Sequence, residues 1–393
     1  MIIILFAAVG GFLIKLIQGI SICGKELNPV HRCFRTIVIP DLVGMIIFGC
    51  IARNFFGDAV YNDYPLIWAD WLRQVCLSII LMRGGLELDF SGKGITVVLL
   101  TLCPQIAEAS CCGILAHLFF DMPWALSFAL GFCLGAVSPA IIVPSLMILQ
   151  RAKYGIQKGI PTTMIAASSF DDMIAITVYS VLVTTAFEQI GVGSPDGKAM
   201  SPADIIVSNV VQILTGIIVG LIIGWGLRVI DYMTWFNNEG RLWIKFGIMI
   251  FMAVFTPVLT HIVHFHEAKY IGIIFFGYAC YRSWGENQPD LKLGSFWKLC
   301  SPFLFGTVGA SVNLRVLGEQ SVGLLILVIF LCLIARWLGT FFATAGKFTL
   351  KERAFMSFAW IPKATVQAAI GGIALSTAME AEGLPEDVRE EYI

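Results

Sequence analysis

The chain has 393 residues, 58% of them hydrophobic and 13% charged, with a net charge of −1 and a mean hydropathy of +0.83. Soluble domains carry about 25% charged residues, so this composition places the chain in lipid. The near-zero charge leaves no basic surface for nucleic acid.

A membrane span needs roughly 20 apolar residues, and on that measure twelve segments are predicted: 2–22, 40–56, 66–86, 95–120, 123–149, 160–187, 203–230, 241–264, 268–283, 296–316, 320–346 and 354–379. The chain opens Met-Ile-Ile-Ile-Leu-Phe with no basic stretch ahead of it, which is unlike a signal peptide. Lys15 in segment one, Arg73 in segment three and Lys245 in segment eight lie near segment ends, where a long cationic side chain is expected to reach the interface. Segment four carries Glu108 at depth, with Cys111 and Cys112 a turn further on and His117 near its end. The cysteines fall mostly in apolar segments without a C-x-x-C spacing, which is usage for packing, not for disulfides or a metal.

Segment five contains Ser138-Pro139 and Pro144. Two prolines remove two backbone donors, so the helix is expected to break there. Irregular backbone at membrane depth is tolerated only where it is buried in protein or lines a cavity. Segment six holds Ser168, Ser169, Asp171 and Asp172 in an otherwise apolar run. A carboxylate at that depth costs at least ~2.5–3.5 kcal/mol to insert, so the adjacent pair marks a proton or cation path. Neighbouring helical residues point about 100° apart, so the two aspartates are expected to have different roles. His261 and His264 close segment eight as interfacial residues. Segment eleven carries Arg336, and segment twelve contains Pro362, Lys363 and Thr365 in a second interrupted stretch.

Loop charges test the count. Sixteen lysines and arginines fall after odd-numbered segments and four (Arg53, Lys198, Lys269 and Arg315) after even-numbered ones, which places the odd loops in the cytoplasm. Both ends of the chain then lie outside, and the sequence is expected to be a fragment lacking one helix at each end. Segments four and five correspond to eleven and twelve at an odd offset, the pattern of inverted repeats, and paired interrupted helices point to a transporter site. Glu108, Asp171 and Asp172 against Arg336 and Lys363 leave one negative charge, which one Na⁺ or one H⁺ can cancel. Glu108 and Arg336 are expected to pair, with a charge-swapped variant recovering part of the lost stability. Lys363 is expected to neutralise freed carbonyls or an aspartate.

Ser138-Pro139-Ala140, Ser169-Phe170-Asp171-Asp172, Glu108, Arg336 and the run from Phe358 to Gly371 resemble the animal NHA-type sodium/proton antiporters. These belong to the cation/proton antiporter superfamily that includes NhaA- and NapA-like exchangers. The resemblance implies an all-α polytopic membrane protein with an inverted-repeat antiporter fold, two crossed broken helices and a homodimeric assembly in the lipid bilayer. It implies scaffold at 1–90 and 240–318, ion-transporting core at 91–190 and 319–380, and a linking helix at 200–232. Asp172 would bind the ion, with Asp171 beside it. Glu108, Arg336 and Lys363 would be supporting charges, and Ser138, Pro139, Pro144, Ser168, Ser169, Pro362 and Thr365 would shape the surroundings. Arginine at 336, where many relatives have lysine, leans toward electroneutral exchange. The function implied is Na⁺ (Li⁺)/H⁺ antiport by alternating access in a plasma or organelle membrane, with no cofactor. A sodium-coupled organic-solute symporter of the same fold is the alternative. An intramembrane aspartyl protease would place its aspartates on separate helices with a Gly-x-Gly-Asp motif, which is absent.

Overall fold

The computed structural model describes residues 2–23, 41–56, 66–88, 94–188, 202–232, 237–263, 265, 268–312, 314, 322–372 and 374. The expected acidic tail after segment twelve, His264 and many of the loop charges lie outside these residues. Among the described residues the regular structure is entirely helical. In chain order the helices are α1 (Ile2–Cys23), α2 (Asp41–Phe56), α3 (Leu66–Glu87), α4 (Gly94–Phe120), α5 (Trp124–Gly135), α6 (Pro139–Arg151) and α7 (Ile160–Glu188). They continue with α8 (Pro202–Gly226), α9 (Asn238–Ile262), α10 (Ala268–Trp284), α11 (Asp290–Ser311), α12 (Val322–Ala343), α13 (Leu350–Ala359) and α14 (Thr365–Ile370). Short 3₁₀ turns follow α8 (Leu227–Tyr232) and α10 (Gly285–Asn287).

Among the described residues, five stretches are long and apolar enough to cross a membrane: Gly94–Phe120, Ile160–Phe187, Val207–Tyr232, Asn238–Ile262 and Val322–Ala343. The protein is an integral, multi-pass membrane protein. The fold divides into two units, Met1–Cys76 with Gly294–Val322, and Leu77–Leu293 with Gly323–Ile393.

In the first unit, α1 packs on α2 at Gly10 and Gly44, where each backbone runs into the space a Cβ would fill. Helices in lipid gain little from burying apolar surface, so close approach at small residues supplies the packing. Asn54 caps the end of α11. Its amide donates to the Val312 carbonyl at 3.0 Å and its oxygen accepts from the Leu314 N–H at 3.1 Å.

In the second unit, α8 and α10 form a close pair. Helices α4, α5 and α7 pack on one another, and the carbonyl of Ala109 on α4 occupies the place of a side chain at Gly131 on α5. That approach sets Glu108 one residue from the contact. Trp360, Met164, Met356, Leu100, Ile142 and Leu146 form a buried cluster around the end of α13. Helix α13 begins with Thr349 and Glu352 in a reciprocal capping box, which fixes its start.

The break in segment five is narrower than the sequence suggests. It covers Ala136 to Ser138, and Pro144 lies within α6, which continues to Arg151. Pro144 withdraws one helical hydrogen bond without ending the helix. Lys245 also departs from expectation: it is 1% exposed, and its ammonium is 2.6 Å from Asp231 Oδ1. The 3₁₀ turn after α8 brings Asp231 back over α9, so the ammonium finds its counter-ion inside the protein and does not reach outward.

Candidate functional site

Helix α5 ends at Gly135, and the chain turns extended at Ala136 (φ −61°, ψ 134°) and Ser138 (φ −91°, ψ 105°) before Pro139 opens α6. A residue preceding proline is pushed out of the helical region. Pro139 also has no N–H to return to the carbonyl four residues earlier, that of Gly135. Helix α13 ends at Ala359, and Trp360 to Ala364 form the second break before α14. The breaks meet: the Ser138 N–H donates to the Pro362 carbonyl at 3.0 Å, and the Ser138 and Thr365 hydroxyls lie 3.3 Å apart.

A helix end leaves its last carbonyls without intrahelical donors, and in an apolar surrounding each needs another partner. Side chains supply them for α5. Gln105 on α4 donates to Phe132 at 3.2 Å. Gln367 on α14 donates to Cys133 at 3.0 Å, Leu134 at 3.2 Å and Ala136 at 2.7 Å. Lys363 also donates to Leu134, and Arg336 takes the Gly135 carbonyl that Pro139 leaves free. On the other break, Arg336 Nε donates to Trp360 at 2.7 Å. Both cations therefore sit at helix C-terminal ends, where the backbone dipole favours positive charge.

The acids complete the network. Arg336 Nη1 is 2.9 Å from Glu108 Oε2, and Arg336 Nη2 is 3.0 Å from Asp171 Oδ2. Lys363 Nζ is 2.7 Å from the same Glu108 oxygen. Asp171 Oδ2 also accepts the Val137 N–H, at 2.8 Å, from the first break. Two acids and two bases, three of them fully buried and Lys363 nearly so, thus cancel one another.

Asp172 stands apart from this balance. It is 4% exposed and makes no hydrogen bond or ion pair among the described residues, and its Oδ1 is buried without a partner. Its neighbour points into the crossing and is held there, while Asp172 leaves the network with one unmatched carboxylate.

The Glu108–Arg336 contact has the expected separation. Lys363 meets a freed carbonyl, as one of its two options, but its acid is Glu108 and not an aspartate. Because Arg336 also serves Asp171 and two carbonyls, a charge-swapped Glu108/Arg336 pair would leave those groups without donors, and the expected rescue no longer follows. Ser168 Oγ donates to the Ile165 carbonyl at 2.8 Å, so its proton is engaged and its lone pairs remain. Ser169 is buried two residues before Asp171 on the same helix. The two glutamines were missed by attention to formal charge alone. Their signal was present: an amide in an apolar segment needs partners as an ion does.

The carboxylates, the meeting breaks and the helical frame of the described residues define the class first: a multi-pass membrane protein built around a charged helix crossing. The overall fold is similar to that of the sodium proton antiporter MjNhaP1 from Methanocaldococcus jannaschii, with a TM-score of 0.70 at 20% identity, covering 100% of this chain and 90% of that one. The family model described as "Sodium/hydrogen exchanger, transmembrane" matches residues 26–387. Among individual relatives, human sodium/hydrogen exchanger 9B2 is 35% identical over 374 residues, covering 91% of this chain and 65% of that protein. Human sodium/hydrogen exchanger 9B1 is 32% identical over 367 residues, covering 91% and 68% respectively. This chain belongs to the transmembrane sodium/hydrogen exchanger family, on the animal NHA-type side of it. It spans 64–65% of the length of the 9B2 relatives from mouse, orangutan and human.

Proposed function

We propose that the protein exchanges Na⁺, or Li⁺, for H⁺ at Asp172. The observation that carries this reading is the unmatched Asp172 carboxylate beside a network of Glu108, Asp171, Arg336 and Lys363 whose charges already cancel. A lone buried carboxylate is costly unless a cation or a proton neutralises it. Either one does so, and both together would overshoot, so occupancy by one excludes the other. Carboxylate and hydroxyl oxygens are ligands suited to a hard cation. Ser168 keeps acceptor capacity for that purpose, and Ser169 is its neighbour on the same helix.

In this reading Asp171 is a fixed member of the network and not an ion ligand of its own. It orients Arg336 and holds the backbone at Val137. Arg336 stays charged throughout, since a guanidinium does not deprotonate in proteins. One carboxylate alternating between Na⁺ and H⁺ gives one-for-one, electroneutral exchange. The crossed breaks let Asp172 be approached from either side in turn, by movement of a core (91–190 and 319–380) against a scaffold (1–90 and 240–318) joined by the helix at 200–232. Twelve spans in this chain and a homodimer in the bilayer complete the proposal. Purified protein in liposomes should show sodium-driven proton movement that a voltage clamp leaves unchanged. A flux that follows the imposed voltage would reject electroneutrality, and the absence of any sodium-driven proton movement would reject exchange.

A further inference from the structure

Gln367 is placed like a part of the ion path, although it carries no charge. Its Nε2 contacts three backbone carbonyls, those of Cys133, Leu134 and Ala136. That fixes the orientation of the amide, because the flipped arrangement would set its oxygen against three carbonyl oxygens. With the nitrogen so committed, Oε1 is buried and has no hydrogen-bond partner among the described residues. A buried acceptor without a donor is uncommon in native proteins and calls for an explanation such as an ion or a water. Asp171 Oδ1 and Asp172 Oδ1 are in the same condition. The surroundings of the crossing therefore hold more oxygen acceptors than donors, which suits a cation more than a further hydrogen-bonding side chain.

The helices that carry Gln367 and Asp172 meet at a hydrogen bond. The Tyr179 hydroxyl on α7 donates to the Ile370 carbonyl at the end of α14 at 2.8 Å. Asp172 lies about two turns before Tyr179 on α7, and Gln367 lies about one turn before Ile370 on α14. The amide also grips Ala136, next to the Val137 N–H that Asp171 accepts. Gln367 and Asp171 thus hold the same break.

We propose that Gln367 is a positioning and specificity residue for the transported cation. Its NH₂ group fixes the last carbonyls of α5, and its Oε1 offers an oxygen to a partly hydrated cation on its way to or from Asp172. This rests on the exchange reading above. The test uses the full chain in liposomes, with Na⁺ and Li⁺ as probes. Rates are measured for wild type, Gln367→Leu and Gln367→Asn, the second keeping an amide one methylene shorter. The half-saturating Na⁺ concentration should rise several-fold in Gln367→Leu and less in Gln367→Asn. The Li⁺/Na⁺ preference should shift in both, and stability should fall more in Gln367→Leu, which frees the carbonyls that the amide holds. A merely structural role would instead lower stability and maximal rate together and leave half-saturation and ion preference at wild-type values. That outcome in both variants, with an active wild type, would overturn the role of Gln367 and leave exchange standing. A wild type without sodium-driven proton movement would overturn both.

Discussion

Among the described residues, Lys245 and Lys363 each meet an acidic partner, and their surroundings differ in one respect. Lys245 on α9 is 2.6 Å from Asp231 and 3.0 Å from the Asn287 carbonyl, and lies 4.9 Å over the Trp284 ring. The Asp231 carbonyl in turn accepts from Arg241 Nη1 at 2.7 Å. One acid meets one buried base, and the group is closed. Lys363 also has its acid, Glu108, at 2.7 Å. There the network extends through Arg336 to Asp171 and stops short of Asp172, which makes no ion pair among the described residues. Buried charge alone does not make an ion site, because both regions have it. In the proposed exchange, the carboxylate left over after pairing is the ion site.

The strongest way to break this comparison is to remove the left-over charge. Asp172→Asn should abolish sodium-dependent proton flux in liposomes while purified protein keeps its thermal stability, since no ion pair is lost. Flux near the wild-type level would remove Asp172 from the site. The next largest effect falls on folding. Glu108→Gln or Arg336→Gln leaves a buried ion without its partner, which costs about 3–5 kcal/mol. Thermal unfolding in detergent should show a large drop for each, and unchanged stability would mean the network is not closed as described.

Asp171→Asn should be milder than Asp172→Asn in flux. The side-chain oxygen of Asn can still accept the Val137 N–H, but Arg336 loses an acid partner, so stability should fall while exchange persists. A complete loss of exchange would exchange the roles assigned to the two aspartates. The smallest functional effect should come from the other lysine. Asp231→Asn replaces a charge-assisted hydrogen bond worth about 1.5–3 kcal/mol. It should reduce stability and leave the half-saturating Na⁺ concentration unchanged, and a shifted Na⁺ affinity would end the contrast between the two regions.

Much of the crossing was legible in the sequence because its most informative residues are costly ones. Charges at membrane depth and prolines in apolar segments each demand a structural reason, so Glu108, Asp171, Asp172, Arg336, Pro139, Pro362 and Lys363 stood out. What was not legible depended on three-dimensional pairing. Pro144 looks equal to Pro139 in sequence, yet only Pro139 coincides with the break, because Arg336 is positioned to take the carbonyl it frees. Lys245 looked like an interfacial residue because nothing in local spacing tells that a 3₁₀ turn brings Asp231 to it. Gln105 and Gln367 carry no charge, so their clamp on the end of α5 emerges only when its carbonyls are assigned one by one.

The account turns on one carboxylate serving two ions in turn, and the most direct test is the apparent Na⁺ affinity of the reconstituted protein as a function of pH. A protonated Asp172 cannot hold Na⁺ and an ionised one can. Half-saturating Na⁺ should therefore rise as pH falls, while the maximal rate at saturating Na⁺ on the competing side changes little. A Na⁺ affinity that stays constant across the active pH range would contradict the shared site and assign the proton to a separate path.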